Sequence, residues 1–321
     1  MCTSVIRVDH ISKTFSTLGP DGRRQSLRAV DDVSFSVSEG ETLGLVGESG
    51  CGKTTLGRTV LRLTEPDSGR IFFRGEEITA LRDMRPVRRN MQIVFQNPAG
   101  SLDPRMNIGD IISEGLEIHR IGANKAERRE MVCRLMQQVG LPPEMIRRYP
   151  RELSGGQQQR VGIARALAVD PAFIVCDEAV SSLDLSYQGQ IINLLEKLRD
   201  ERGLSYLFIS HDVTVVRHIS DKIAVMYLGR FVEVGAADEV VQKPAHPYTR
   251  ALLAAVPIPD PVTARARTHR PIPVEALSAS PPRPGCRFAD RCPDCMQVCL
   301  ERVPELREVA PGHLCACHLY R

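Results

Sequence analysis

From Val5 to about Val234, short apolar runs alternate with longer amphipathic stretches. The runs Thr42–Val46, Gln92–Phe95, Phe173–Cys176, Tyr206–Ile209 and Ala224–Tyr227 are rich in β-branched and apolar residues, which predicts buried strands. Between them, Thr54–Leu63, Lys125–Val139, Gln157–Val169 and Tyr187–Glu201 carry helical patterning. Buried strands alternating with helices imply a mostly parallel sheet with helices packed on it, an α/β fold. Between about Pro98 and Arg151 the strand signal stops and helical patterning takes over, which predicts a helical subdomain inserted into the core.

The pattern changes again near the C-terminus. Eight prolines fall within the 28 residues from Pro257 to Pro284. Proline lacks the backbone donor and fixes φ, so this segment predicts an extended linker. Six of the ten cysteines (Cys286, Cys292, Cys295, Cys299, Cys315, Cys317) lie in the 36 residues that end the chain. That asymmetry marks a separate device.

Length and charge narrow the function classes. The chain has 321 residues, 42% of them hydrophobic, enough for one large core or one core plus an appendage. Lys and Arg number 42 against 39 Asp and Glu, a net charge of +3, which argues against an electrostatic nucleic-acid binder. No stretch approaches the roughly 18 to 20 uninterrupted apolar residues of a membrane helix. The N-terminus shows no apolar signal region, so Cys2 is not expected to be a lipidation site and the chain is expected in the cytosol. There disulfides are disfavoured and clustered cysteines read as metal ligands.

The strand Thr42–Val46 runs into Gly47-Glu-Ser49-Gly50-Cys51-Gly52-Lys53-Thr54, which fits G-x-x-x-x-G-K-[ST]. Glycines let the backbone turn sharply and bring its N–H groups against phosphate oxygens. A helix beginning near Lys53 would point its positive end at the same anion. In such a loop Lys53 reaches the β- and γ-phosphates, the Thr54 hydroxyl ligates Mg²⁺ and Thr55 adds a phosphate contact. Cys51 reads as a small residue at a permissive position within the loop.

Phe173–Cys176 delivers two adjacent acids, Asp177 and Glu178, at the tip of a predicted buried strand. Asp177 suits Mg²⁺, and Glu178 suits the general base that orients or deprotonates an attacking water. His211 follows another apolar strand, and Gln96 follows the run Gln92–Phe95. Each would be unremarkable alone.

The stretch Leu153-Ser154-Gly155-Gly156-Gln157 also reads as a helix N-cap and a second anion site. It resembles the signature sequence of ATP-binding cassette (ABC) ATPases, between a phosphate loop and an acid pair. The resemblance implies a P-loop ABC ATPase fold binding ATP and Mg²⁺. The expected layout is a nucleotide-binding domain over 1–255 with a helical subdomain at about 98–165, then a Pro-rich linker and a Cys-rich domain over 256–321. It implies a head-to-tail dimer in which Ser154, Gly155, Gly156 and Gln157 serve the partner's nucleotide. By the same resemblance Phe15 stacks on adenine, Gln96 senses Mg²⁺ and water, Asp184 lies on the loop that crosses the dimer interface, and His211 contacts the γ-phosphate. One departure is Ala179, where the family carries a proline after the acids; no catalytic atom is lost.

Two further stretches resemble one branch of that family. Phe95-Gln-Asn-Pro-Ala-Gly-Ser-Leu-Asp-Pro104 and the tail, from His246-Pro-Tyr-Thr-Arg-Ala-Leu-Leu253 through Cys286-Arg-Phe-Ala-Asp-Arg-Cys292, are similar to the F-type ATPase subunits of oligopeptide and dipeptide importers. Thiolates suit iron–sulfur clusters or Zn²⁺. The resemblance implies a [4Fe–4S] cluster on Cys286, Cys292, Cys299 and Cys317. Structural zinc is the competing expectation, helped by Cys292-x-x-Cys295, His313 and His318, and free thiols are the third. The partners implied are a second ATPase subunit, with a heterodimer favoured, two membrane permeases and an extracytoplasmic substrate-binding protein. The place implied is the cytoplasmic face of the cell membrane. The alternative is a soluble ABC ATPase not coupled to transport. Its chromosome-type members carry a long coiled coil between loop and signature, whereas here roughly 100 residues without sustained heptads separate them.

Overall fold

The structure is a computed structural model that describes residues 4–18, 24–181, 183–256 and 284–320. Most of the Pro-rich segment, Cys2 and Ser182 lie outside the described residues. Twelve strands are described: β1 Ser4–Leu18, β2 Arg24–Ser38, β3 Thr42–Val46, β4 Ser68–Phe73, β5 Glu76–Glu77, β6 Met91–Val94, β7 Phe173–Asp177, β8 Ser205–Ile209, β9 Lys222–Tyr227, β10 Arg230–Ala236, β11 Arg307–Ala310 and β12 His313–Cys315. The described α-helices are α1 Lys53–Val60, α2 Arg85–Asn90, α3 Pro98–Ser101, α4 Ile108–Ile118, α5 Lys125–Gln138, α6 Gly155–Leu167, α7 Leu185–Arg202, α8 Val213–Ile219, α9 Ala237–Gln242, α10 Pro247–Ala254 and α11 Gln297–Glu301.

The chain forms two compact units. One comprises Met1–Arg7, Ser36–Glu41 and Phe72–Ile209. Within it β6, β7 and β8 run parallel, with Met91 opposite Phe173 and Phe173 opposite Ser205. Phe173, Ile174, Val175 and Cys176 of β7 and Tyr206, Leu207, Phe208 and Ile209 of β8 are all fully buried, as strands covered on both faces must be. In chain order, the helices α3 to α6 fall between β6 and β7 in this unit. Ile108, Ile111, Ile112 and Leu116 form the buried stripe of α4, and Val132, Leu135 and Met136 that of α5. Asn107 and Asn124 begin these helices by accepting from the Asp110 and Glu127 amides.

The other unit comprises Val8–Phe35, Thr42–Ile71 and Ser210–Arg321. Here β3 and β9 are parallel, with Val46 opposite Val225. β10 is antiparallel to β9, β12 to β10, and β11 to β12. The cysteine-rich tail thus supplies two strands that extend this sheet beyond β10, with Cys315 opposite Glu233.

The long strands β1 and β2 are missing from the strand runs predicted above. Val5, Ile6, Val8 and Ile11 are buried in β1, and Val30, Val33 and Val37 in β2. Left-handed backbone at His10 (φ 54) and Asp32 (φ 57) interrupts each strand, so neither shows a clean two-residue period.

Candidate nucleotide site

The phosphate loop lies in the second unit, between β3 and α1. Gly52 is the N-cap of α1 at φ 110, and a side chain there would run into the Ala29 carbonyl oxygen. Gly47 is equally confined, by the Met226 carbonyl. The Gly229 amide donates to the Cys51 carbonyl at 2.8 Å, which pins the loop to the turn after β9. Lys53 is only 4% exposed, and its ammonium donates to the carbonyls of Gly47 at 2.7 Å and Glu48 at 2.9 Å. Ser49 and Gly50 are exposed, whereas Thr54 and Thr55 are half-buried. Cys51 is buried beside Lys53, and burial pushes its thiol above the ordinary range, which leaves an inert filler. Phe15, on β1, is 38% exposed with the Lys13 ammonium 5.6 Å from its ring centre; it is not a core residue. His211 is exposed and precedes Asp212, which caps α8 by accepting from the Thr214 amide at 2.8 Å.

The acid pair lies in the first unit, at the tip of β7. Asp177 is 2% exposed. Glu178 adopts left-handed backbone at φ 48, an uncommon and costly conformation for a non-glycine residue. Its amide donates to the Ile209 carbonyl at 2.9 Å, which holds the chain there. Its carboxylate accepts from the Gln96 side chain at 2.7 Å, so two predicted site residues 82 positions apart meet. Ala179 is buried directly behind.

The signature segment, in the same unit, starts α6. The Gln157 amide donates to Ser154 Oγ at 3.3 Å, and the Ser154 amide donates to Gln157 Oε1 at 3.0 Å. This reciprocal box holds Ser154 and Gly155 on an exposed helix N-terminus. Gly156 is buried, and a Cβ there would stand 2.7 Å from the Tyr187 ring. Asp184 is exposed at the N-cap of α7.

Two family models match this chain: "ABC transporter" over residues 30–181 and "Oligopeptide/dipeptide transporter, C-terminal region" over residues 232–299. The oligopeptide transport ATP-binding protein AppF of Bacillus subtilis is 49% identical over 297 residues, covering 92% of this chain and 90% of AppF. This chain belongs to the ATP-binding subunits of the oligopeptide/dipeptide ABC transporter family. A Brucella ovis protein that carries the name of a peptide import ATP-binding protein is 50% identical over 98% of both chains. Among solved structures, the dimeric post-hydrolysis form of the ATP-binding cassette MJ0796, bound to ADP and Pi, matches with a TM-score of 0.65 at 28% identity, covering 72% of this chain and 98% of that one. The core is therefore an ABC ATPase fold. Among the described residues, no helix is long and apolar enough to cross a membrane.

Several cysteines of the tail lie near one another. Burial pushes the Cys286 and Cys292 thiols up to about 11, and neighbouring sulfurs add to it: Cys299, Cys317 and Cys295 at Cys286, and Cys286 and Cys317 at Cys292. The Cys286 amide donates to the Cys299 carbonyl at 2.7 Å. The four sulfurs expected as ligands therefore share one locale. Among the described residues, however, no three His, Cys, Asp or Glu side chains stand close enough to hold a metal ion together. The thiols gather without forming a ready cage.

Sequence reasoning missed three residues around the phosphate loop: Glu48, Tyr248 and Arg291. Tyr248 Oη accepts from the Glu48 amide at 2.9 Å, and Arg291 holds the Glu48 carboxylate through both terminal nitrogens, at 2.9 and 2.8 Å. Tyr248 and Arg291 fall inside the quoted tail motifs, but nothing in their spacing pointed to the loop.

Proposed function

We propose that this subunit binds and hydrolyses ATP to energise the import of di- or oligopeptides, or of related cargo such as nickel chelates, through two membrane permeases. Family membership over nearly the whole chain supports this. The observation that carries the hydrolytic part is Glu178, held in a strained conformation at the end of a buried strand and hydrogen-bonded to Gln96. A carboxylate so fixed can accept a proton from an attacking water, while the amide of Gln96 orients it.

In this reading the phosphates rest on Gly47, Ser49, Gly50, Cys51, Gly52, Lys53, Thr54 and Thr55, with the adenine against Phe15. Thr54, Gln96 and Asp177 offer the hard oxygen donors that Mg²⁺ takes, and the ion would spread phosphate charge. His211 meets the γ-phosphate. Ser154, Gly155, Gly156, Gln157 and Asp184 complete the site of a second ATPase subunit in a head-to-tail dimer, favoured as a heterodimer. An extracytoplasmic binding protein delivers cargo, and the ATPase works at the cytoplasmic face of the membrane. By the family resemblance, Cys286, Cys292, Cys299 and Cys317 would hold a [4Fe–4S] cluster, with zinc as the competing metal. The resemblance alone carries this assignment, since the sulfurs form no ready cage, and no step of hydrolysis passes through a metal there.

Glu178→Gln keeps the Gln96 contact geometry but removes the base. ATP turnover should fall roughly 10²- to 10⁴-fold while ATP binding persists, trapping a nucleotide-bound dimer seen by size-exclusion chromatography. Unchanged turnover would remove Glu178 from this role.

A further inference from the structure

The geometry points to Arg291 as a positioning residue for the ATP site, acting through Glu48, so that the cysteine-rich tail forms part of the phosphate-loop machinery. This rests on the proposed ATP site. Three contacts converge on Glu48. Its carbonyl accepts from the Lys53 ammonium at 2.9 Å. Its amide donates to Tyr248 Oη at 2.9 Å. Its carboxylate takes the two-pronged guanidinium of Arg291 at 2.8 and 2.9 Å. A planar fork on a carboxylate fixes direction as well as distance, which a single ammonium would not do. The residue that turns its carbonyl toward Lys53 is thereby held from a second side.

Arg291 is itself immobilised. Its side chain is 11% exposed, with the guanidinium 5.8 Å from the Tyr227 ring centre and 5.7 Å from that of Phe288. Phe288 is fully buried against Tyr227, Tyr248 and His246, with ring centres 5.4, 5.5 and 5.9 Å away. Arg287, one residue before Phe288, donates to the Leu228 carbonyl and to Asp31. Asp31 also binds Arg28 and Arg230, so the start of the tail is anchored on both sides of Phe288. Arg291 immediately precedes Cys292, so the cysteine segment is joined directly to the residue that holds Glu48. The arrangement is that of a brace: the tail's aromatic anchor carries an arginine that sets the second residue of the phosphate loop.

The test measures ATP affinity and turnover of the full chain. Arg291→Ala should weaken ATP binding roughly tenfold, equivalent to about 1.4 kcal/mol, raising KM more than it lowers kcat. Arg291→Lys keeps the charge but not the fork and should fall between. Glu48→Ala should cost as much as Arg291→Ala, and the double variant no more than either alone, since both remove one interaction. Lys53→Ala is the control for the site. If Lys53→Ala loses ATP while Arg291→Ala and Arg291→Lys, folded by circular dichroism, bind like the parent, the brace is overturned and the site stands. Additive losses in the double variant overturn it too. If Lys53→Ala binds ATP normally, the phosphate-site reading fails and takes the brace with it.

Discussion

His246 caps α10, accepting the Tyr248 amide on Nδ1 at 3.0 Å, so its neutral form carries the proton on Nε2. Burial, reinforced by the charge of Arg250, lowers its pKa from 6.5 to about 4. Between those values the unfolded chain takes up a proton that the folded chain refuses. Its stabilising contribution is thus complete above pH 6.5 and declines as pH falls toward 4. His246→Asn keeps an accepting cap and cannot titrate. Its melting temperature should fall less than the parent's between those two pH values, and parallel curves would acquit His246. Lys53, Ser154 and Glu178 stand out in the sequence as candidates because their neighbours form recognisable motifs. The left-handed backbone of Glu178 does not, because it depends on the Ile209 carbonyl that holds its amide.

Among the elements, the join between β10 and β12 is the most exacting. Glu233 is fully buried, and its carboxylate accepts from the Ala245 amide at 2.7 Å, the His246 amide at 2.8 Å and His313 Nε2 at 2.7 Å. Glu233→Ala leaves three buried donors without that acceptor and should destabilise the fold by about 3–5 kcal/mol in urea titration. Glu233→Gln retains one acceptor oxygen and should cost less. A Glu233→Ala loss under about 1 kcal/mol, the scale of one ordinary hydrogen bond, would show that the join carries little weight. Helices α5, α6 and α7 were readable to within a few residues because each shows apolar residues at helical spacing. The ends of α1 were less so: the predicted helix ran to Leu63, but the helix stops at Val60 and Arg62 turns left-handed at φ 50. β11 and β12 left no readable pattern, being short strands at the end of a sheet.

For the whole molecule the open chemical question is the tail. Full-length protein purified without oxygen should contain iron and acid-labile sulfide in equal amounts, with visible absorption that Cys292→Ser abolishes. Colourless, zinc-loaded protein would replace the cluster with zinc. Locally dictated features were legible from the chain alone: the glycine spacing that a phosphate needs, the cap of α6, and the change from strand to helical patterning near Pro98. Short-range sterics and hydrogen bonding set these, and they act over a few residues. Folding in three dimensions was needed to show Gln96 on Glu178, Glu233 beneath His313, and Arg291 on Glu48. The last two residues lie 243 positions apart, and no local rule couples them; they meet because β3, β9 and β10 bring the loop and the tail to one unit.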